Sequence, residues 1–420
     1  MENKTKTLPF MFELENNNIG VLFNTLYYPP TYTYAGIKSF MTGTLPSIDD
    51  LLRNTGIIDM EMPQNILSMY KKLFSKFVLF GNQDWIKYFP NLFKYTQFSD
   101  YYDVKNYKMV DDAMMEDIFN TSKTDEWQVM CIHFCGLDHI GHGYGGNVEM
   151  IDEKLKEMDQ FFKQLWNIIH SNTESDKPPL FVVFGDHGMS KTGSHGANSL
   201  YEIEAATYIF SKAFSTRGVV SLNHHLPLRV KSVDLTSFMS MMGTGQIQPF
   251  NSFGLIPEIF EKISKPVDWF KYVGLNCMVI FQHFQRFFSK NDMFITNVRE
   301  DLKSWKSEMK LISKNPNKTI DKKLVQRIYH RSKTMQEFLL ETFIGYSYFY
   351  MIFSVVVILM RSPQITVDRI LEGLLINQIE KNLIFSTSIF LIVKGWNLAK
   401  QLTLRLKLSV MMLMTFPPLL

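Results

Sequence analysis

Cysteine is scarce: Cys131, Cys135 and Cys277 are the only three in 420 residues. That excludes a disulfide framework, and no Cys-x-x-Cys pair is present to hold a structural zinc. Net charge is nearly absent, since 44 Lys+Arg against 41 Asp+Glu leave +3. Such a balance gives no reason to expect nucleic acid as a partner. Internal repeats and low-complexity tracts are missing. The N-terminal stretch MENKTKTLPFMFELENNN has no apolar run long enough for a signal peptide. Apolar material is plentiful, with 46% hydrophobic and 20% charged residues. It is enough to offset chain entropy, which excludes intrinsic disorder as the main state. The length allows two or three folding units, and the 14% aromatic content and 25 Met lean toward some membrane contact.

That lean sharpens near the C-terminus. Residues 342–360, TFIGYSYFYMIFSVVVILM, form a run of 19 uncharged residues between Glu341 and Arg361. As a helix they extend roughly 28 Å, close to the ~30 Å hydrocarbon core of a bilayer. Tyrosines gather in the first half, where an interfacial aromatic belt belongs. The run predicts a transmembrane span rather than a buried core helix. The 12 uncharged residues between Lys381 and Lys394 are too few to span alone. Leu408–Leu420 reads as the start of a further span.

Over residues 1–265, short β-branched and aromatic runs alternate with amphipathic helices. FVLFGN (77–82), QVMCIHFCG (128–136), LFVVFGD (180–186) and ATYIFS (206–211) read as strands. Ile151, Leu155, Met158, Phe162, Leu165 and Ile169 recur at a period near 3.6 and predict a helix between the second and third. Another is expected at Ile66–Phe74. Strands separated by helices predict an α/β class: a doubly wound, mostly parallel sheet with helices on both faces. Residues 266–340 read as a polar, helix-prone connector, followed by a membrane region at 341–420. Ligands of such sheets bind beyond the C-terminal strand ends, which selects the loops to search.

Those loops carry metal-ligand chemistry. After 128–136 comes Gly136-Leu137-Asp138-His139-Ile140-Gly141-His142. After 180–186 comes Gly185-Asp186-His187-Gly188-Met189, and nine residues beyond Asp186 lies His195 between Ser194 and Gly196. Asp and His supply the oxygen and nitrogen ligands of Zn²⁺, and flanking glycines let backbone approach an ion closely. Two such loops at neighbouring strand ends suit a pair of ions clamping the attacking and leaving oxygens of phosphoryl transfer. A single Asp-His-Gly also serves as an ordinary turn; the weight comes from five such residues in three glycine-flanked segments. His142 has the better spacing from Asp138, so His139 is read as a neighbour, and His133 as a core residue.

Upstream, Pro29-Pro30-Thr31-Tyr32-Thr33 precedes a helix expected from about residue 34 to Gly43. Thr33 then sits where helix amides and dipole favour anions, and a metal-bound hydroxyl there becomes a nucleophile. The alternative is a plain N-cap.

Together, P-P-T-Y-T with M-T-G-T-L-P, F-G-N-Q-D-W, G-L-D-H-I-G-H and G-D-H-G-M-S-K-T-G-S-H-G-A resemble the glycosylphosphatidylinositol (GPI) ethanolamine phosphate transferases of the alkaline phosphatase superfamily. The wording is most like the type 2 enzymes, which modify the second mannose. The resemblance implies an alkaline-phosphatase-like fold over residues 1–265 and Thr33 as the nucleophile that carries ethanolamine phosphate and also touches the metals. Asp138, His142 and His195 would hold one Zn²⁺, with Asp186, His187 and Thr33 at the other; manganese is the alternative metal. It further implies phosphatidylethanolamine as donor, the GPI precursor as acceptor and a small stabilising membrane subunit as partner. The implied compartment is the endoplasmic reticulum membrane, with a lumenal catalytic domain. Other readings are a phosphodiesterase or pyrophosphatase of the same superfamily, and a catalytically inactive membrane-bound relative.

The chain departs from the family pattern in places. The family's N-terminal anchor, its first strand ending in a metal-binding Asp, and most of its multi-span C-terminal region have no counterpart, so a truncated chain is expected. Asn82 stands for an Asp, Ala35-Gly36 for Pro-Arg, and Tyr201 for the acidic neighbour of Glu202.

Overall fold

The structure, a computed structural model, describes residues 7–98, 103–172, 178–216, 228–289, 292–316 and 318–361. Seven strands are present among them: β1 (Gly20–Leu26), β2 (Phe77–Gly81), β3 (Tyr95–Phe98), β4 (Val129–His133), β5 (Phe181–Phe184), β6 (Glu204–Phe210) and β7 (Leu228–Lys231). The helices that matter here are α1 (Pro9–Asn16), α2 (Thr33–Thr42), α3 (Ile48–Asn54), α4 (Met109–Ser122) and α5 (Gly136–Tyr144), then α6 (Glu149–Asn172), α7 (Ser232–Thr244), α8 (Pro266–Phe284), α9 (Met293–Lys314) and α10 (Lys322–Arg361).

The strands form two sheets, ordered β5-β6-β1-β7 and β3-β2-β4. Strand β2 runs parallel to both β3 and β4, and β1 runs parallel to β7. Strand β6 is antiparallel to both of its neighbours. The α/β class therefore holds and parallel pairing dominates the three-stranded sheet, but the larger sheet is mixed. Its reversal has a simple origin: Phe184 and Glu204 are joined by a loop carrying the candidate site, with no long crossover helix to bring the chain back parallel.

Two apolar cores sandwich the strands. Val21, Phe23, Phe77, Leu79 and Ile209 face one, beside Ile37 and Phe40 of α2 and Phe238 of α7. Leu22, Val78, Phe80, Tyr208 and Phe210 face the other, beside Phe10 of α1, Ile118 of α4 and Leu165 of α6. The period-2 alternation of strand side chains splits each run between them. Strands β4 and β5 obey the same split: Cys131 and Val182 lean on the first core, Met130 and Val183 on the second. Both are end strands of their sheets. Every residue of each is only half-buried, whereas all five of β2 are buried.

Helices α8 and α9 lie in the 266–340 segment. Their apolar faces, with Trp269, Ile280 and Trp305, join the first core. Residues 1–347 form one compact unit and 348–420 a second. Among the described residues no helix is long and apolar enough to cross a membrane. The expected span at 342–360 falls mostly on residues whose side chains lie outside that description, and the later apolar stretches lie outside it entirely.

Candidate active site

The C-terminal ends of β1, β4 and β5 open into the loops singled out from the sequence. Helix α5 begins at Gly136, three residues after β4. Asp138 and His142, four apart, therefore share one face of it. His195 comes from the loop between β5 and β6. Ligand atoms of Asp138, His142 and His195 all lie within 4.8 Å of one another. The Nε2 atoms of His142 and His195 are 3.2 Å apart. His142 Nε2 is 3.4 Å from Asp138 Oδ2, and His195 Nε2 is 3.7 Å from Asp138 Oδ1. Donor atoms about 2.0–2.1 Å from a tetrahedral ion stand about 3.3–3.4 Å from each other, so the three are spaced to take a divalent cation.

Hydrogen bonds fix how the rings present themselves. The Nδ1 of His142 donates to the Gly193 carbonyl at 2.8 Å and that of His195 to the Thr31 carbonyl at 2.9 Å. His187 Nδ1 donates to the Gly188 carbonyl at 2.9 Å. Carbonyls only accept, so each ring holds its proton on Nδ1 and keeps the Nε2 lone pair for a ligand. Burial, then the neighbouring His187, pushes the His195 pKa below its ordinary value, which favours the neutral ring that a metal needs. Gly193 makes the approach feasible. Its φ of +79° suits glycine, and a Cβ there would collide with the carbonyl of Gly141 on α5.

Asp186 and His187 form a second, smaller pair. His187 Nε2 lies 3.6 Å from Asp186 Oδ2, and the His187 ring stacks on His195 at 3.8 Å. The buried Oδ2 of Asp186 and Oδ1 of Asp138 have no hydrogen-bond partner. An unsatisfied buried carboxylate oxygen is expensive, and cations at these positions would satisfy both. The two groups together make a site with three donors on one side and two on the other.

Thr33 is the first residue of α2. The cap position is Tyr32, whose side chain makes no capping bond, so Thr33 is not an N-cap. Its surroundings tie it to the site on both sides. Before it, the Thr31 hydroxyl donates to the Ala197 carbonyl at 2.9 Å, and the Tyr32 ring meets His195 edge-on at 6.0 Å. After it, Gly36 packs so closely on Asp186 that a Cβ would strike the Asp186 carbonyl. The residues on either side of Thr33 thus touch the loop of His195 and the strand end of Asp186.

Three contributors were missed from the sequence. Asn54, at the end of α3, accepts the Tyr34 amide at 3.0 Å through Oδ1, placing an amide NH₂ beside the start of α2. Asp111 accepts the amides that open α5. Glu202, 4% exposed, accepts from the Ala197 and Ser199 amides and the Ser199 hydroxyl, holding the loop after His195. Asn54 and Asp111 carry no motif and act across contacts with no local signature, whereas Glu202 closes a Ser199-x-x-Glu202 capping box that the sequence does display.

The remaining positions resolve plainly. His133 accepts the Trp85 indole N–H at 2.9 Å through Nδ1. Asn82 turns its Oδ1 to the Asp84 amide at 2.7 Å. Tyr201 is 57% exposed, with the Lys191 ammonium over its ring.

Comparison with known proteins agrees with this chemistry. Residues 61–225 match the type I phosphodiesterase / nucleotide pyrophosphatase family. The chain is 32% identical over 237 residues to the human GPI ethanolamine phosphate transferase 2, catalytic subunit, covering 56% of this chain and 24% of that one. It is 28% identical over 275 residues to GPI ethanolamine phosphate transferase 2 of Yarrowia lipolytica, covering 62% of this chain and 31% of that one. The human type 3 catalytic subunit is 29% identical over 241 residues, with 57% and 21% covered. The chain therefore spans between 21% and 31% of the length of these curated relatives. A solved lipoteichoic acid synthase from Listeria monocytogenes is a distant likeness, with a TM-score of 0.39 and 13% identity over 59% of this chain and 68% of that one. The resemblance read from the motifs, with type 2 enzymes among the most similar, is borne out.

Proposed function

With similarity to the GPI ethanolamine phosphate transferases as the premise, we propose that this chain carries the catalytic site for moving ethanolamine phosphate from phosphatidylethanolamine to a mannose of the GPI precursor, the second mannose by its type 2 likeness. The observation that carries the reading is the trio Asp138, His142 and His195, spaced for one divalent cation, beside Asp186 and His187 with an unsatisfied carboxylate oxygen. Asp138, His142 and His195 would hold one Zn²⁺, and Asp186, His187 and Thr33 would hold the other. Bound there, zinc supplies Lewis-acid stabilisation of phosphoryl oxygens and lowers the pKa of a coordinated hydroxyl.

The protein's own residues do the rest. Thr33 Oγ attacks phosphorus and forms a new P–O bond as the bond to diacylglycerol breaks; diacylglycerol leaves and takes up a proton. The mannose hydroxyl then attacks the same phosphorus, gives up its proton, and releases Thr33. The NH₂ of Asn54 and the N-terminus of α2 receive the phosphoryl oxygens, as helix N-termini do. We place the activity at the endoplasmic reticulum membrane, lumenal side, with 342–360 as a membrane span and a small membrane subunit as partner.

Thr33→Ala tests the reading. Transfer of labelled ethanolamine phosphate, and the labelled adduct on Thr33 seen by mass spectrometry, should both vanish while zinc bound by Asp138, His142 and His195 stays. Normal transfer in this variant would overturn the assignment. A second reading, hydrolysis of nucleotide phosphodiesters with water in the second step, draws on the family matched over 61–225. It predicts turnover of a nucleotide ester in the absence of any GPI acceptor.

A further inference from the structure

We propose that Asp111 is a positioning residue for the cation site: it sets where helix α5 begins and therefore where Asp138 and His142 stand. The inference rests on the reading of those two residues and His195 as ligands. Asp111 lies in the first turn of α4 and is 1% exposed. Its Oδ1 accepts the Cys135 amide at 2.9 Å and the Gly136 amide at 3.2 Å, and its Oδ2 is also 3.2 Å from the Gly136 nitrogen. Cys135 is the N-cap of α5 and Gly136 its first residue. The carboxylate therefore caps a helix whose own N-cap side chain makes no capping bond. Asp138 follows two residues later, in the same turn.

The cap is itself held. The Lys154 ammonium of α6, 3% exposed, sits 3.0 Å from Asp111 Oδ2 and 2.6 Å from Glu157. The approach leaves no slack at the helix start, because a Cβ on Gly136 would collide with both the Tyr107 carbonyl and the Asp111 carboxylate. Two segments distant in sequence, around Asp111 and around Lys154, thus converge on the peptide that opens α5. A carboxylate that orients ligands without touching the ion should behave like other outer partners of metal ligands, whose removal weakens binding by 10–100-fold.

The test uses the full chain in detergent, with Zn²⁺ affinity read by competition against a chromophoric chelator. Visible absorption of the Co²⁺-loaded protein reports site geometry. Asp111→Ala should weaken Zn²⁺ binding at least tenfold and alter the Co²⁺ bands. Lys154→Met removes the ion pair but leaves both amide bonds, so it should lower the melting temperature with affinity within about threefold of wild type. If Asp111→Ala does not fold, Asp111→Asn replaces it; losing the second oxygen's contact with the Gly136 amide and the charge, it should bind several-fold more weakly than Lys154→Met. Wild-type affinity in the Asp111 variants, or an equal loss in Lys154→Met, would overturn the proposal. His195→Ala separates the two levels. If it keeps wild-type Zn²⁺ binding, the ligand assignment fails; if it loses zinc while the Asp111 variants do not, only the role of Asp111 fails.

Discussion

Replacing a glycine inside a helix by alanine ordinarily stabilises a protein by about 1 kcal/mol, because glycine loses the most backbone freedom on folding. Gly36 should reverse that sign. It lies in the first half of α2, and a Cβ there would meet the Asp186 carbonyl oxygen and carbon far inside contact distance. The obstacle is backbone on both sides, a helix against a strand end, so no side chain can rotate away. Forcing atoms into a packed core costs about 1–3 kcal/mol. Relieving this contact also means moving Asp186, whose Oδ2 faces the site. The expected net for Gly36→Ala is a destabilisation of up to about 2 kcal/mol after the helix gain is counted. That is a fall of a few degrees in melting temperature, together with weaker metal binding by the Asp186–His187 pair. Gly143 is the control. It too is helical, in α5, and a Cβ there meets nothing within 4 Å, so Gly143→Ala should raise the melting point slightly. Intrinsic fluorescence melts of the two variants decide the matter. A Gly36→Ala protein as stable as Gly143→Ala would show that α2 and Asp186 are not in the close contact described.

Further outcomes follow from the same contacts. Burial pushes the pKa of His133, His170, His195 and His283 below the ordinary value. The unfolded chain takes up protons near pH 6.5 that the fold refuses, so metal-free stability should be full above that pH and fall below it. Each ring contributes up to about 1.4 kcal/mol per pH unit. Melts between pH 8 and pH 5 check this, and a flat profile would refute it. Asp234 and Asp159, held above the carboxylate range mainly by burial, act in the opposite sense further into acid. Glu202→Ala strands the Ala197 and Ser199 amides it accepts from. It should cost about 1–3 kcal/mol and loosen His195, read as lower zinc content by elemental analysis. Asn54→Ala should lower transfer activity by roughly 10²–10³, the loss typical of one oxyanion donor, with zinc content unchanged.

How much of this was legible beforehand depended on range. The helix expected from about residue 34 to Gly43 is there as Thr33–Thr42, because proline, threonine and a left-handed Gly43 punctuate it locally. Asp138 and His142 could be placed together because an i,i+4 spacing on a helix is itself a distance. His195 joined them only through folding, since its separation of 57 positions from Asp138 carries no geometry of its own. Strands β1, β3 and β7 escaped notice for a different reason: Asn24, Thr96, Gln97 and Arg229 interrupt the apolar runs that mark a buried strand. The direction of β6 was equally hidden, because a loop built for ligands gives no sign of whether the chain returns parallel or antiparallel. The same logic explains why Asp111 looks like an ordinary acidic residue in sequence. It acts on backbone amides, which every residue possesses, so nothing in the amino-acid pattern distinguishes the segment being held. The ligands of such a site announce themselves by chemistry, and the groups that aim them are found only once distant amides and carboxylates are seen in contact.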